Sequence, residues 1–247
     1  MHEIQKVKGH YHPLSLVIRD VERIFREMGF SIAQGPEIET EYYNFDALNV
    51  PKDHPARDMQ DTFWIKGRPE TVLRTHTSNV QIRYMETNKP PIRIIVPGRT
   101  FRSEATDARH ESVFHQIEGL AVDKNITLAN LKGTLEYALG KLFDNPHTKV
   151  RLRSNFFPFV EPGVEVDASC FRCKAEKGCP LCKGTGWIEL MGAGMVHPKV
   201  LSNAGINPRE YQGLAFGCGI ERLAMVKYGI PDTRMFLSGD LRVINQF

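Results

Sequence analysis

Residues with ionic, amide and aromatic side chains occur in two segments at a spacing that would place them on one face of a sheet. In the first segment, Arg102 and Glu104 are separated by one residue. In the second, Phe114, Gln116 and Glu118 follow the same alternation. Alternate side chains of a strand share a face, so two neighbouring strands would present a cation, two carboxylates, an amide and an aromatic ring together. Such a surface could bind a ligand, although a solvated sheet face is the usual meaning of an isolated Arg-x-Glu tripeptide.

A third segment, Gly217-Cys218-Gly219, precedes a predicted helix that begins with Ile220, Glu221 and Arg222. Glycines at the end of a strand allow a ligand to approach the backbone closely. A positive charge in the first turn of a helix is unfavourable unless an anion faces it, so Arg222 indicates an anion-binding turn. Taken by itself, the segment could equally be a strand-to-helix turn without a function.

Four cysteines have the spacing of a metal-binding knuckle, because Cys170-x-x-Cys173 is followed by Cys179-x-x-Cys182. Two close thiol pairs, joined by a spacer that contains Lys177-Gly178, can reach a tetrahedral arrangement at a small entropic cost. The pattern predicts a structural zinc ion, which four thiolates close off from catalysis. A redox pair and a knuckle that no longer binds metal are the alternatives, but a redox pair does not require four cysteines.

Three amphipathic helices are predicted around these segments. Apolar residues recur at the helical period from Leu14 to Met28, with Pro13 placed to open this helix and Gly29 to close it. The same spacing predicts a second helix from about Thr127 to Phe143 and a third from about Ile220 to Tyr228. Each of these helices therefore has one apolar face to bury.

Short segments rich in β-forming residues alternate with proline and glycine, which indicates strands. A polar loop is predicted from Gly35-Pro36 to about Asp61, because proline cannot donate to a sheet ladder and ends the strand before it. Several successive strands without intervening helices imply a largely antiparallel sheet, so the predicted fold class is α+β rather than doubly wound. The predicted strands are Phe30–Ala33, Thr62–Ile65, Ile92–Val96, Thr100–Arg102, Phe114–Val122, Val150–Leu152, Val164–Asp167, Trp187–Met191 and Leu214–Gly217.

The composition fits a globular chain of ordinary charge. With 247 residues and 41% hydrophobic content, it predicts one domain over residues 1–247 with a small inserted knuckle over residues 168–186. The formal charge of +3 is too small to indicate nucleic-acid binding by itself. The apolar stretches fall far short of the roughly 20 residues of a membrane helix, and the first residues lack a signal core. We therefore expect a cytoplasmic protein without a membrane span, in which paired cysteines bind metal more readily than they form disulfides.

The order of these segments resembles the three signature motifs of class II aminoacyl-tRNA synthetases. A helix and strand that end at Pro36 are followed by the arginine strand and then by the glycine–glutamate–arginine turn. The resemblance extends from about His12 to Phe247 and implies a class II catalytic fold, a mostly antiparallel sheet flanked by helices. Four further segments resemble the α subunits of bacterial phenylalanyl-tRNA synthetases, namely Thr75-His76-Thr77-Ser78, Phe157–Pro162, Gly192–Pro198 and Gly213–Gly217.

The resemblance implies one set of residues that bind ATP. Arg102 would hold the α-phosphate, Glu104 the adenine side of the nucleotide and His110 the distal phosphates. Phe114 and Arg222 would sandwich the adenine ring, by stacking and by cation–π attraction. Arg102 and Arg222 would also act in catalysis, as cations beside the charge that develops on phosphorus. The implied ATP-binding set is Arg102, Glu104, His110, Phe114, Glu221 and Arg222.

A second implied set binds phenylalanine. Gln116 and Glu118 would bind the ammonium of the amino acid with help from two residues of the earlier histidine–serine segment. Aromatic and small apolar residues would surround the phenyl ring, where aromatic contacts add to simple burial. Glu161 would be a ligand of Mg²⁺, because a hard carboxylate suits a hard cation. The implied phenylalanine-binding set is His76, Ser78, Gln116, Glu118, Phe157, Phe159, Val160 and Ala215.

The implied reaction is the activation of L-phenylalanine by ATP, followed by its transfer to the terminal ribose of tRNA(Phe). The resemblance implies a β subunit that supplies editing and much of the tRNA contact in an α2β2 assembly, with a dimer surface on the first helix. The family's α subunit usually begins with a helical arm that grips tRNA. Only about a dozen residues precede the first motif here, so we expect either a naturally shortened relative that lacks the N-terminal helical arm or a fragment of a longer chain.

Two other functions remain open from the sequence. The first is a synthetase-like paralogue that binds an amino acid or regulates a partner without charging tRNA. The second is a ligase that makes a free amide or peptide through the same adenylate. The presence of the whole polar set together argues against a paralogue without activity; the set comprises Arg102, Glu104, Gln116, Glu118, Glu221 and Arg222.

Overall fold

The computed structural model describes residues 9–53, 62–173, 179 and 181–247. Two parts of the sequence-based predictions lie outside these residues: the end of the polar loop, at Asp61, and the knuckle spacer, Lys177-Gly178. Within the described part, every helix is too short or too polar to cross a lipid bilayer.

The first helix, α1 (Pro13–Glu27), forms where the apolar spacing predicted it. Proline occupies its first turn, and the His12 side chain accepts a hydrogen bond from the Leu14 backbone N–H. Gly29 follows the last turn with a φ of +80°, a conformation that costs glycine little. The predicted limits of this helix are correct to within one residue.

Among the described residues, seven strands form one sheet. All neighbouring strands are antiparallel except the first, which is short and runs parallel to the strand beside it. The predicted α+β class with a largely antiparallel sheet is therefore confirmed. In spatial order the strands are β1 (Ser31–Ile32), β4 (Ile92–Phe101), β5 (Val113–Asp123), β9 (Gln212–Gly219), β8 (Trp187–Val196), β7 (Val160–Ser169) and β6 (Val150–Ser154).

Helices cover both faces of this sheet, and each face has its own hydrophobic core. One core joins α1 with α4 (Leu128–Leu142) and α6 (Ile220–Tyr228) around residues such as Phe216. The other core lies between several short elements and the central part of the sheet, at β4, β5 and β9. Those elements are α2 (Glu41–Asn44), a 3₁₀ turn (Asp46–Leu48), α3 (Ser78–Thr87) and α5 (Pro198–Asn203).

The predicted polar loop after Gly35 is wrong as far as the described residues extend. Instead, β2 (Ile38–Thr40) pairs with β3 (Thr71–Leu73), and α2 and the 3₁₀ turn follow β2. Three polar residues of this region, Glu39, Glu41 and Asn44, are buried rather than solvated. Glu39, for example, accepts hydrogen bonds from Asn79 and Arg83 at 2.9 and 2.6 Å. Polarity therefore indicated a hydrogen-bonded layer and not a surface loop.

Three of the predicted strands need correction, and two helices were not predicted. The strand predicted at Thr62–Ile65 is reduced to a single bridge between Trp64 and Val72, and the sequence reading omitted α3 and α5. Strand β4 continues through Pro97, where two separate strands were predicted. This is possible because β1 pairs with β4 only near Ile94, so a missing N–H further along interrupts one ladder at most. The strand β7 likewise starts before its predicted beginning, with a register shift at Pro162.

The remaining helices and turns follow their predicted or local signals. Thr127 and Asn130 form a reciprocal cap at the start of α4, and Gly229 ends α6 with a φ of +73°. Both helices match the predicted limits closely. A second 3₁₀ turn (Thr233–Phe236) and α7 (Leu241–Ile244) complete the chain.

Candidate functional site

A cavity of about 490 Å³ opens on the face of the sheet formed by β5, β9, β8 and the start of β7. Its size and its mixture of apolar walls and a few polar groups are typical of small-molecule sites. The structure brings the whole phenylalanine-binding set implied by the resemblance to the lining of this one cavity: His76, Ser78, Gln116, Glu118, Phe157, Phe159, Val160 and Ala215.

Glu118 forms the polar end of the cavity. It lies in β5 opposite Val96 of β4 and Gly217 of β9, and only 6% of its surface is exposed. Its carboxylate accepts hydrogen bonds from the Ser78 hydroxyl, from Gln81 Nε2 at 2.9 Å and from the Thr77 backbone N–H at 3.2 Å. These donors hold the carboxylate in one orientation.

Burial raises the pKa of Glu118 to about 7, because the charged form loses its hydration. The hydrogen bonds from Ser78 and Thr77 and the guanidinium groups of Arg102 and Arg74 oppose this increase. A carboxyl group that titrates near neutrality in a cavity is typical of a functional site. A cationic ligand beside Glu118 would restore the charge balance.

Two buried polar atoms of the cavity have no hydrogen-bond partner among the described residues: His76 Nδ1 and Gln116 Oε1. Burial, and then the nearby Arg102 guanidinium, lower the pKa of His76 to about 3, so the ring is neutral at pH 7. The ring is hydrogen-bonded to the backbone of Asn44, which leaves Nδ1 as an acceptor. Unsatisfied buried acceptors are costly, and together with Glu118 they suit a ligand group with several N–H donors.

The opposite wall of the cavity is apolar. The rings of Phe157 and Phe159 stack with their centroids 6.0 Å apart and an interplanar angle of 19°. A Cβ at Gly192 would lie 3.0 Å from the tip of the Phe157 ring, so a larger residue at this strand position would crowd the ring. Further apolar lining residues that the sequence reading did not select are Leu48, Ala193, Val196 and Val200.

Arg102 lines the cavity and also belongs to the set that the resemblance implies for ATP. Its Nε donates to the Thr75 carbonyl at 3.1 Å, and its Nη1 is 3.9 Å from Glu104. The guanidinium also lies 5.0 Å from the centre of the Phe114 ring. Burial lowers the pKa of Arg102, which remains a cation because an arginine pKa starts far above neutrality. With only a distant carboxylate partner, this cation is available to an anionic ligand.

The turn at the end of β9 holds its two charged residues in different ways. Both oxygens of Glu221 accept hydrogen bonds from the His115 backbone N–H, and one of them also contacts His115 Nδ1 at 2.9 Å. The exposed Arg222 donates from Nη2 to the Glu189 carbonyl of β8 at 3.3 Å. Glu221 thus fixes the backbone next to Phe114, whereas Arg222 is accessible from solvent.

The two remaining predicted ligands are exposed. His110 lies in the loop between β4 and β5, where its Nδ1 is 2.9 Å from Asp107. The hydrogen bond from His110 is the main cause that lowers the pKa of Asp107 to about 2. Glu161 is exposed next to Val160 of the cavity lining. As a single accessible carboxylate it fits Mg²⁺, which binds proteins through one or two carboxylates and keeps several of its water ligands.

The four cysteines of the predicted knuckle come together at the far ends of β7 and β8. All four sulfur atoms lie within 4.8 Å of one another, and no disulfide joins any two of these four cysteines. The separations are 3.6 Å for Cys170–Cys173, 3.4 Å for Cys173–Cys182 and 3.9 Å for Cys170–Cys179. The group could therefore hold a metal ion, and it packs against the core through the Phe143 and Phe171 rings, which stack 4.8 Å apart.

Gln81 and Thr77 are lining or contact residues that the sequence reading missed. Both donate to Glu118, and Gln81 lies one helical turn after Ser78 in α3. A prediction of α3 would have provided the signal, because positions three apart share one face of a helix.

Comparison with known proteins gives one consistent result. Residues 1–247 match the family model described as the tRNA synthetases class II core domain (F). The chain is 56% identical over 239 residues to a protein of Caldanaerobacter subterraneus subsp. tengcongensis named phenylalanine–tRNA ligase alpha subunit, covering 97% of this chain and 69% of that protein. It is 56% identical over 241 residues to the protein of that name from Bacillus subtilis, with the same coverage.

A solved structure shows the same fold at lower sequence similarity. The crystal structure of pyrrolysyl-tRNA synthetase from Desulfitobacterium hafniense superimposes with a TM-score of 0.67 and 20% identity. The alignment covers 92% of this chain and 74% of the other. At this identity the likeness supports the fold alone.

Proposed function

We propose the reaction of this chain from its family: it belongs to the class II aminoacyl-tRNA synthetases and, among them, to the phenylalanine–tRNA ligase alpha subunits. The chain activates L-phenylalanine with ATP and charges tRNA(Phe). One observation of the structure carries the proposal. A single cavity has a buried carboxylate with two unsatisfied acceptors at one end and a pair of stacked phenylalanine rings at the other. This combination matches an amino acid with a cationic head and an aromatic side chain.

The polar end of the cavity supports recognition of the α-ammonium. An ammonium has three N–H donors, and Glu118, Gln116 Oε1 and His76 Nδ1 could each accept a hydrogen bond from it. The neutral state of His76 matters here, because a protonated ring would repel the ligand's charge. Ser78 contributes indirectly, since its hydroxyl holds the Glu118 carboxylate.

The apolar end supports selection of the phenyl ring. Phe157, Phe159 and Val160 would enclose the ring, and Ala215 would face its para position. Such an apolar wall disfavours tyrosine by only about 100-fold, because it rejects an added hydroxyl weakly. Accurate charging therefore needs a separate editing activity, which we assign to a partner subunit.

The proposed chemistry has two steps and no side-chain nucleophile. A carboxylate oxygen of phenylalanine attacks the α-phosphorus of ATP, the bond to the β-phosphate breaks and pyrophosphate leaves. A ribose hydroxyl of tRNA then attacks the carbonyl of the adenylate, loses its proton and displaces AMP. Arg102 would stabilise the charge on the α-phosphate, and Arg222 would act as a second cation.

The nucleotide set supports ATP as the second substrate. Phe114 offers a ring for stacking on adenine, with Arg222 in the implied sandwich, Glu104 beside the base and His110 near the distal phosphates. Glu221 would act by holding the strand that carries Phe114. Mg²⁺, when bound by Glu161 and the phosphates, neutralises phosphate charge.

The four-cysteine group supports a structural zinc site. A zinc–sulfur distance of about 2.3 Å places the corners of a tetrahedron about 3.8 Å apart. Three of the sulfur–sulfur separations are 3.4 to 3.9 Å, close to that value, and all four sulfur atoms lie within 4.8 Å of one another. Four thiolates leave no open position, so the ion would hold the ends of β7 and β8 together without taking part in the reaction.

The names of the relatives support an assembly with a second type of subunit. An alpha subunit has a β partner, and we propose an α2β2 complex in which the β subunit contributes editing and tRNA contacts. The solvent face of α1 would form the dimer surface, and the complex would act in the cytoplasm.

Phenylalanine-dependent exchange between ATP and pyrophosphate, measured with and without the β subunit from the same source, tests this proposal. We expect exchange that depends on phenylalanine, and charging of tRNA(Phe) when the β subunit is present. Exchange without charging in the complete complex would favour a ligase that transfers phenylalanine to another acceptor. Phenylalanine binding without exchange would favour a regulatory paralogue.

A further inference from the structure

Asn44 contacts Thr75 and His76, two neighbouring residues of the proposed site, and it is outside the cavity lining. It is the last residue of α2 and is 0% exposed. Its Oδ1 accepts from the Thr75 backbone N–H at 3.2 Å, and its Nδ2 donates to Thr75 Oγ1 at 3.1 Å. Its backbone is hydrogen-bonded to the His76 ring. Because both ends of a fully buried amide contact one residue, the amide fixes the backbone of that residue.

Thr75 passes this constraint to the nucleotide half. Its carbonyl oxygen accepts a hydrogen bond from Arg102 Nε at 3.1 Å. The guanidinium can therefore keep its orientation over Phe114 only while the Thr75 peptide keeps its own. Asn44 holds Thr75 through its N–H, which belongs to the preceding peptide, and through its hydroxyl, while Arg102 contacts the carbonyl of the following peptide.

The residues that follow Thr75 pass the same constraint to the amino-acid half. Thr77 donates its backbone N–H to Glu118 at 3.2 Å, and the Ser78 hydroxyl donates to the other oxygen of the same carboxylate. Residues 75–78 thus contact the catalytic arginine with a carbonyl and the ammonium-binding carboxylate with an N–H and a hydroxyl. Asn44 anchors the first residue of this segment.

We propose that Asn44 is a positioning residue that sets the register between the phenylalanine carboxylate and the α-phosphate, an inference that rests on the proposed function. The attacking oxygen and the phosphorus react from about 3–3.5 Å, and a shift of about 1 Å can lower the rate about 100-fold. Asn44 touches neither substrate. It acts through Thr75, whose two sides face the two binding sites.

The variant Asn44→Ala tests the proposal in the exchange assay. We expect kcat to fall by roughly 10- to 100-fold, while KM for phenylalanine and for ATP changes by less than about threefold. Asn79→Ala is the matched control, because Asn79 is also 0% exposed and donates one hydrogen bond, in its case to Glu39 rather than to Thr75. We expect its kcat to stay within about threefold of the parent value.

A double-mutant cycle with Arg102→Ala separates positioning from a purely structural role. If Asn44 acts through Arg102, adding Asn44→Ala to Arg102→Ala lowers kcat by less than about threefold, whereas Asn79→Ala has the same effect in both backgrounds. A structural defect would reduce the rate equally with and without the arginine. Additive effects of Asn44→Ala and Arg102→Ala would overturn the inference.

Two substitutions of Thr75 repeat the test should Asn44→Ala fail to fold. Thr75→Val removes the hydroxyl that contacts Asn44 Nδ2, and Thr75→Ser retains it. We expect only Thr75→Val to lower kcat, by roughly 10-fold, and to lose that effect in the Arg102→Ala background. Equal rates for the two variants would contradict the inference. A parent complex without phenylalanine-dependent exchange contradicts the proposed function and this inference together, while an active parent with additive effects contradicts this inference alone.

Discussion

The amino-acid half and the nucleotide half of the site differ in how their side chains are held. In the amino-acid half, Glu118 is 6% exposed and its oxygens contact three donors. In the nucleotide half, Arg102 is 3.9 Å from its carboxylate neighbour, and the exposed Arg222 donates to a carbonyl at 3.3 Å. The comparison indicates that burial arranges the ammonium site in advance, whereas the phosphates of the nucleotide would supply partners to the arginines.

The largest effect is expected in the nucleotide half. Arg102→Ala should lower kcat of the exchange reaction by roughly 10²–10³, the usual result of removing one charge-stabilising donor. Phenylalanine affinity, measured by calorimetry, should change little, because the ammonium site does not depend on this cation for its hydrogen bonds. Arg93→Ala is the control, since Arg93 lies on the same strand and pairs with Asp123 at the surface. A rate close to that of the parent would remove Arg102 from the mechanism.

A smaller effect is expected from the size of the apolar end. Ala215→Gly should raise kcat/KM for para-substituted phenylalanines by roughly 10- to 100-fold. Ala215→Val should lower kcat/KM for phenylalanine itself by a similar factor. Exchange rates with phenylalanine and its para-chloro derivative measure both changes. Ala168→Gly, at a buried position of β7 in the other core, controls for lost packing. An unchanged ranking of the two substrates would show that Ala215 does not face the ring.

A pH dependence should distinguish the buried half from the exposed half. The pKa of Glu118 is about 7, so between about pH 4.5 and 7 the folded chain holds a proton that the unfolded chain has released. The free energy of unfolding should therefore fall as the pH rises through this window. Phenylalanine affinity should move in the opposite sense and rise about 10-fold from pH 6 to pH 8, because the ammonium binds the carboxylate form.

Calorimetry from pH 6 to pH 8 tests this dependence, with Glu118→Gln as the comparison. The amide does not titrate, so the pH dependence assigned to Glu118 should disappear in the variant. A parent and a variant with the same slope would assign the titration to another group.

The smallest effect on the reaction is expected from the cysteines. Cys182→Ser should remove the zinc found by elemental analysis and lower the melting temperature by roughly 5–10 °C. The exchange rate at 25 °C should stay within about threefold of the parent value, because the site is closed and lies at the far ends of β7 and β8. Cys218→Ser, a buried thiol outside the group, should keep the metal. A parent protein with neither zinc nor iron would contradict a metal site.

The sequence predicted the largely antiparallel sheet and the three long helices, because these depend on alternation and on helical period. The group of residues around the cavity came from the family resemblance of local motifs. It did not predict α3, so it missed Gln81, and it did not predict that Glu39 and Asn44 are buried. These polar residues read as solvent-exposed because their partners, Arg83 and Thr75, are distant in sequence. Hydrogen bonds between distant residues leave no local pattern.

Two prolines also show that local sequence does not specify the neighbouring strands. Pro97 and Pro162 indicated breaks in the sheet, since proline lacks an N–H. Both nevertheless lie inside strands, because the first lies beyond the short pairing with β1 and the second lies at a register shift between β7 and β8. Whether a proline ends a strand depends on the neighbouring strand, which local sequence does not specify.

Calorimetric titration of L-phenylalanine and of 3-phenylpropionate, which lacks only the ammonium, tests the central claim most directly. The account predicts that removing the ammonium weakens binding to the parent by about 100-fold, the cost of leaving a buried carboxylate without its charged partner. It also predicts that Glu118→Gln weakens the binding of phenylalanine by a similar factor but hardly changes the binding of phenylpropionate. Equal binding of the two ligands to the parent protein would contradict the assignment of Glu118 as the ammonium site.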